Sequence, residues 1–208
     1  MNADTWRPLT GDEVWQRWCA APAWLTEIRR NAVLAEGRRR FATYNTGTIS
    51  EAACLYLRAL TEHYRPAVAI EIGTFIGTSA LAMRADRIYT CDKSNDCGPK
   101  EQRIVCHPFT SSTRMLNRLV SHGVRADFFF FDGRIQENDV ELILALSSPG
   151  TVYAFDDYEG HEKGVINVHR LRPHLPLFYT LIPPPARVLD LDSTTTIALL
   201  VPHRGEAT

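Results

Sequence analysis

The sequence has no unbroken apolar run of about 18 residues, the length a helix needs to cross a bilayer. Its opening, MNADTWRPLTGDE, carries no apolar core of the kind that marks a secretory leader. Cysteine is scarce: there are five, an odd number, and their spacing forms no disulfide framework. A reducing cytoplasm is therefore the expected location, with no membrane partner. Cys91, Cys97, Cys106 and His107 come nearest to a metal cluster, but they lack the close Cys-x2–4-Cys pair that zinc sites show. Neither sign of charge is in excess. Lys and Arg number 23 against 24 Asp and Glu, which argues against a dedicated nucleic-acid binder. Internal repeats and low-complexity tracts are also missing. What remains is an ordinary globular composition, 45% hydrophobic and 23% charged over 208 residues, enough for one large domain with an N-terminal appendage.

The chain is organised around residues 67–79, AVAIEIGTFIGTS. An apolar run, Ala67 to Ile72, breaks at Gly73-Thr74-Phe75-Ile76-Gly77 and resumes as an Ala/Leu-rich segment. This predicts a buried strand, a tight loop and a helix. Glycines in such a loop let a ligand approach the backbone closely. A phosphate-cradling P-loop is excluded, because Thr78 stands where that motif needs Lys. A dinucleotide fingerprint lacks its third glycine. Glu-x-Gly-x-x-x-Gly remains, beside the plain alternative of a strand–helix turn whose glycines serve packing only.

Three later stretches repeat one pattern, an apolar strand ending in acid. Arg87 to Cys91 is followed by Asp92, about 20 residues beyond the glycine loop, where an acid can hold paired ribose hydroxyls. Ala126 to Phe131 (ADFFFF) delivers Asp132-Gly133-Arg134, and Thr151 to Phe155 delivers Asp156-Asp157-Tyr158. Open α/β sheets bind ligands at the carboxyl ends of their strands. Glu71, Asp92, Asp132, Asp156 and Asp157 all fall at such ends, too many for packing alone. Thr48 with Glu51, and Asn138 with Glu141, read as helix capping pairs. Ser147 to Gly150 reads as a turn. Pro176 to Ile182 and Thr194 to Val201 read as the last strands, joined by an arm over 183–193.

The string Glu71 to Ser79 resembles motif I of class I S-adenosylmethionine-dependent methyltransferases, most closely the catechol O-methyltransferase-like branch. The resemblance covers about Thr46 to Val201. It implies an α/β fold, a Rossmann-like doubly wound seven-stranded sheet, mostly parallel with the last strand antiparallel. It implies S-adenosylmethionine as cofactor, with contacts from Thr48, Glu71, Gly73, Thr74, Phe75, Gly77, Ser79, Asp92, Lys93 and Asp132, and with Thr110 or Ser111 near the adenine. The branch's metal ligands match Asp132 and Asp156-Asp157, the last being Asp in place of Asn. Oxygen donors of this kind suit Mg2+. The branch carries a basic Lys three positions after its first metal ligand, where this chain has Ile135. Either the metal alone activates the acceptor, assisted by Asp132, or His161 takes the proton as a neutral imidazole. His161 as a plain loop residue is the alternative. Tyr158, Lys163 and Arg134 are candidates to hold substrate.

Two units are expected: residues 1–45, a helical cap or interface segment, and 46–208, the cofactor-binding methyltransferase domain. Trp6, Trp15, Trp18 and Trp24 all fall in the first. They suit a lid, a homo-oligomer contact or simple packing. Arg29, Arg30, Arg38, Arg39 and Arg40 form a basic cluster, either a solvated face or a surface for RNA or an anionic substrate. The expected function is O-methylation of a small molecule, with a divalent metal as candidate helper. The alternatives are an RNA or protein methyltransferase using the arginines, and a non-catalytic S-adenosylmethionine-binding module.

Overall fold

The computed structural model describes residues 13–14, 16–17, 22–44, 47–93, 98–159, 161–175, 177–181 and 197–201. Trp6, Trp15, Trp18, Cys97 and the arm over 183–193 lie outside the described residues. The helices are α1 (Pro22–Glu36), α2 (Glu51–Tyr64), α3 (Thr78–Ala82), α4 (Ser112–Ser121), α5 (Glu137–Leu146) and α6 (Lys163–Leu171). The strands are β1 (Val68–Ile72), β2 (Arg87–Asp92), β3 (Ile104–Pro108), β4 (Ala126–Phe131), β5 (Ser147–Phe155), β6 (Leu177–Leu181) and β7 (Ile197–Val201). They form one seven-stranded sheet in the order β3-β2-β1-β4-β5-β7-β6. The first five strands are mutually parallel. The last, β7, slots in antiparallel to both β5 and β6, as the resemblance implies.

The run ADFFFF makes β4 the centre. Phe128 to Phe131 are all fully buried, which a strand covered on both faces requires. Its pleat sends alternate rings to opposite layers. Phe128 and Phe130 join Ala69, Val152 and Leu199 under α1, α2 and α3. Phe129 and Phe131 join Ile70, Ile72 and Phe155 under α4, α5 and α6. Fully burying a phenylalanine contributes about 2–3 kcal/mol, so this strand anchors both layers. The amino-terminal α1 is tied down by Glu27, which takes Arg58 at 3.3 Å and Arg84 at 2.8 Å.

Three local expectations are corrected. Ser50, not Thr48, caps α2, accepting from the Ala53 amide at 3.1 Å. It sits immediately before the first helical residue, so its hydroxyl reaches the free amide. Thr48 instead donates to the Thr78 hydroxyl at 2.9 Å. The cap of α5 is Gln136 rather than Asn138. Its amide donates to the buried carboxylate of Asp139 at 2.8 Å, which Ser112 also reaches at 2.6 Å. Finally, β5 continues through Ser147 to Gly150, where a turn is expected. Thr151 explains it, donating to the Ala126 carbonyl at 2.6 Å and accepting from the Ser148 amide at 2.7 Å. That keeps the strand paired across an irregularity in register.

Candidate active site

The ends of β2, β1 and β4 are bound side by side. The amides of Gly73 and Thr74 donate to the Cys91 carbonyl at 3.1 and 3.0 Å. The amides of Asp132 and Gly133 donate to the Ile72 carbonyl at 3.0 and 2.6 Å. Gly73 has φ 106°, a conformation only glycine adopts without strain. A Cβ there would come within 2.7 Å of the Gly133 nitrogen. Beyond this crossing opens a cavity of about 670 Å3, lined by Gly73, Phe75, Asp92, Lys93, Asp132, Thr110 and Ser111 among others, the Thr110 amide donating to the Asp92 carbonyl at 2.9 Å. Small-molecule clefts typically span about 300–1,000 Å3.

Asp92 is 6% exposed. Its Oδ2 accepts from the Phe75 amide and from the Tyr44 hydroxyl, both at 3.0 Å. Phe75 has φ 41°, a conformation uncommon for non-glycine residues that concentrates at ligand clamps. Its ring stacks on Tyr44 at 5.3 Å, and the Arg39 guanidinium lies over it at 5.1 Å. Arg38 donates two hydrogen bonds to the Ile76 carbonyl, at 2.9 and 2.6 Å. Residues 38–44 therefore fasten the glycine loop from outside. Nothing in the sequence around Tyr44 announces this role, since its partner is 48 residues away. The arginine cluster is largely engaged within the chain. Arg29 pairs with Glu51 at 3.1 Å, Arg39 with Glu36, and Arg40 lies over Phe41. This removes much of the support for an RNA-binding face.

Several residues expected at the cofactor are absent from the cavity wall: Thr48, Glu71, Thr74, Gly77 and Ser79. For Glu71 the pleat of β1 gives the reason. Ile70 and Ile72 face one layer, so Glu71 faces the other with Ala69, beneath α3. Glu71 is fully buried and accepts from the Ser79 hydroxyl and, at 2.5 Å, from Thr90. Thr90 in turn bonds Thr74 at 2.5 Å. Burial pushes the Glu71 carboxyl up to about 7, against the pull of those two hydroxyls. Glu71, Ser79, Thr90 and Thr74 thus form a buried lock under the loop, while Thr48 is exposed.

Asp132, Asp156 and Asp157 do converge, with ligating oxygens within 4.8 Å of one another. Lys163, the first residue of α6, reaches into them. Its Nζ lies 2.5 Å from Asp132 Oδ1 and 3.0 Å from Asp157 Oδ2. Burial opposes the charge on Lys163, but the two carboxylates outweigh it and hold the ammonium above the ordinary lysine range. Asp156 is nearly inaccessible, and its Oδ1 has no hydrogen-bond partner among the described residues. Burial, with Asp132 and Asp157 beside it, pushes its pKa well above the usual carboxylate value. The donor chemistry suits a hard divalent cation, and the orphaned oxygen would accept one. The place between Asp132 and Asp157, however, is filled by the ammonium, so the trio as it stands does not fit a metal.

His161 is exposed and absent from the cavity wall. The inward place belongs to Lys163, two residues on. Ile135 is buried in the second layer. Asn167 holds it there, accepting from the Ile135 amide at 3.1 Å and donating to the Gly133 carbonyl at 2.8 Å. Sequence reasoning passes over Asn167, although a signal exists. Gly164, Asn167, Val168 and Leu171 form the buried stripe of α6, and a lone polar residue in such a stripe needs partners.

No family model and no curated protein matches the chain by sequence. Solved structures do match by shape. The O-methyltransferase TomG from Streptomyces achromogenes, in complex with SAM, is 18% identical, with 75% of this chain and 82% of that one aligned at a TM-score of 0.55. An O-methyltransferase from Bacillus cereus in complex with SAH is 17% identical, covering 86% and 90% at 0.55. Cofactor-bound Rv0187 from MTB is 16% identical, covering 83% and 89% at 0.57. The chain has the class I methyltransferase fold. In that fold the cavity found here, at the carboxyl ends of β1, β2 and β4, lies where an open α/β sheet receives its ligand. Among the described residues no helix is long and apolar enough to cross a membrane.

Proposed function

We propose that the chain is an S-adenosylmethionine-dependent methyltransferase acting on an oxygen of a small molecule. The observation that carries this reading is the shared cavity of Gly73, Asp92 and Asp132, each at the end of a different strand. Asp92 holds the paired ribose hydroxyls, its geometry set by Tyr44 and the Phe75 amide. Gly73, with no side chain, lets the nucleoside come against the backbone. Thr110 and Ser111, which line the same cavity, border the base. Lys93, exposed on the rim, borders the ribose.

When bound, S-adenosylmethionine would supply a transferable methyl carbon on a cationic sulfur. The chain's part is to hold the acceptor in line and to take its proton, and alignment alone accounts for much of the acceleration in such sites. Burial raises Asp132 to about 6, with Lys163 pulling the other way. That makes it a stronger base than an exposed carboxylate, and it lines the cavity in which the acceptor would sit. Arg134, Lys163 and Arg170, which also line the cavity, favour an acceptor that is acidic or carries an anionic group, such as a phenol or enol. Residues 46–208 form the catalytic domain in this reading. Residues 1–45 serve as its cap, represented by α1 and the 38–44 segment that grips the glycine loop.

Calorimetric titration with S-adenosylmethionine tests the cofactor half. Asp92→Ala is expected to weaken binding by about tenfold or more while circular dichroism stays unchanged. Equal affinity in the two proteins would remove the ribose assignment. Mass spectrometry of phenolic and enolic acceptors incubated with the chain tests the transfer half. Tight cofactor binding without transfer to any acceptor would leave a binding module instead.

A further inference from the structure

We infer that Lys163 is a resident cation, its ammonium standing between Asp132 and Asp157 in the place a divalent metal would take, so that the acceptor oxygen is held without a metal. The role at the acceptor rests on the methyl-transfer reading above, whereas the occupancy of the acidic trio rests on geometry alone.

Two backbone features place the ammonium. Gly164 follows it directly, and a Cβ at Gly164 would collide with the carbonyl oxygen of Asp156 and lie 2.7 Å from that of Asp157. Only glycine lets the first turn of α6 press so closely on the end of β5, and that pressing aims the preceding residue into the trio. Asp157 has φ 52°, the left-handed region, which is costly for a non-glycine residue. In that conformation its Oδ2 meets the ammonium at 3.0 Å. The chain thus accommodates one strained residue and one obligatory glycine around a single contact.

The chemistry agrees with the placement. An ammonium has three N–H donors. Asp132 Oδ1 at 2.5 Å and Asp157 Oδ2 at 3.0 Å take two. Lys163 lines the cavity together with Asp132, so the third donor is available to an acceptor oxygen. The oxygen that loses its proton to a carboxylate of the trio gains negative charge, and a fixed positive charge opposite it stabilises that charge as a metal would. Ile135 cannot do this from the β4 loop, because it is apolar and buried. A divalent ion entering the trio would have to displace a like charge already bridging two of its three ligands.

Electron paramagnetic resonance of Mn2+ titrated into the full chain decides the matter. The wild type is expected to leave Mn2+ free, and Lys163→Met to bind it at least about tenfold more tightly. Lys163→Arg, which keeps the cation, should behave as wild type. Equal binding by wild type and Lys163→Met would overturn the inference. So would an absence of binding in both, since the place would then not be one a metal takes. Should Lys163→Met fail to fold, thermal melting of the wild type still tests it. No shift with Mn2+ or with a chelator is expected, and a Mn2+-dependent rise in Tm refutes it. Titration of the same samples with S-adenosylmethionine separates the two readings. Intact cofactor binding beside a failed Mn2+ contrast sinks the resident cation alone. Absent cofactor binding sinks the methyl-transfer reading alone.

Discussion

Replacing Glu71 with glutamine should reverse the sign of its effect on stability between acid and alkaline pH. The buried carboxyl has its pKa displaced from 4.5 to about 7, chiefly by burial. Above 4.5 the unfolded chain has released this proton, while the folded chain keeps it until about 7. Stability from this group is therefore complete below 4.5 and lost as pH rises through 7. The displacement corresponds to about 3 kcal/mol. For a chain of this size that is a fall in Tm of about 6–12 °C. Glutamine carries no titrating proton, so its own curve lacks this slope. It also accepts only one of the two hydroxyls, Ser79 and Thr90, that converge on Glu71, at a cost of about 1–2 kcal/mol independent of pH. The variant should thus be the less stable protein in acid and the more stable one above about pH 8, by about 1–2 kcal/mol each way. Urea unfolding of both proteins across this range measures the difference, in which the other titrating groups largely cancel. A difference curve that stays flat would refute the assignment of a buried, proton-holding carboxyl under the glycine loop.

Further substitutions probe the elements around it. Gly73→Ala should abolish cofactor binding and lower stability, because its Cβ would meet the Gly133 nitrogen at 2.7 Å and its φ would cost about 1–3 kcal/mol. Wild-type melting and titration curves would contradict it. Asn167→Leu orphans the Ile135 amide and the Gly133 carbonyl, and should cost about 2–4 kcal/mol in denaturant unfolding. Tyr44→Phe keeps the stack on Phe75 but removes the bond to Asp92. Denaturant unfolding should show a loss of about 0.5–1.5 kcal/mol, the net worth of one hydrogen bond, and calorimetry a weakening of S-adenosylmethionine binding by about threefold to tenfold as Asp92 loses its fixed orientation.

The sheet was legible because its signals are local. An apolar run such as ADFFFF can only be a doubly covered strand, and an acid after such a run marks the strand's carboxyl end. Asp92 and Asp132 could be placed at the cleft on that basis alone. Glu71 shows where the rule falters. It sits within the strand, not past its end, and the alternation along β1 turns it beneath α3. Counting from Ile72 would have revealed this. Tyr44, Lys163 and Asn167 were harder, because each acts on a partner far along the chain. Their roles arise from how helices land on the sheet, which residue types and spacing do not encode. Ile135 leaves the β4 loop without an amine, and the lysine that does line the cavity stands 28 residues downstream of it, at Lys163.

The antiparallel slot of β7 has a consequence for how the molecule is made. Residues 197–201 supply both the partner of β5 and the partner of β6, yet they leave the ribosome after everything they join. Until they emerge, a nascent chain carries an open hydrogen-bonding edge at β5 beside a core that is otherwise assembled, the kind of edge that recruits foreign strands. Cellular quality control would meet this protein at that late moment.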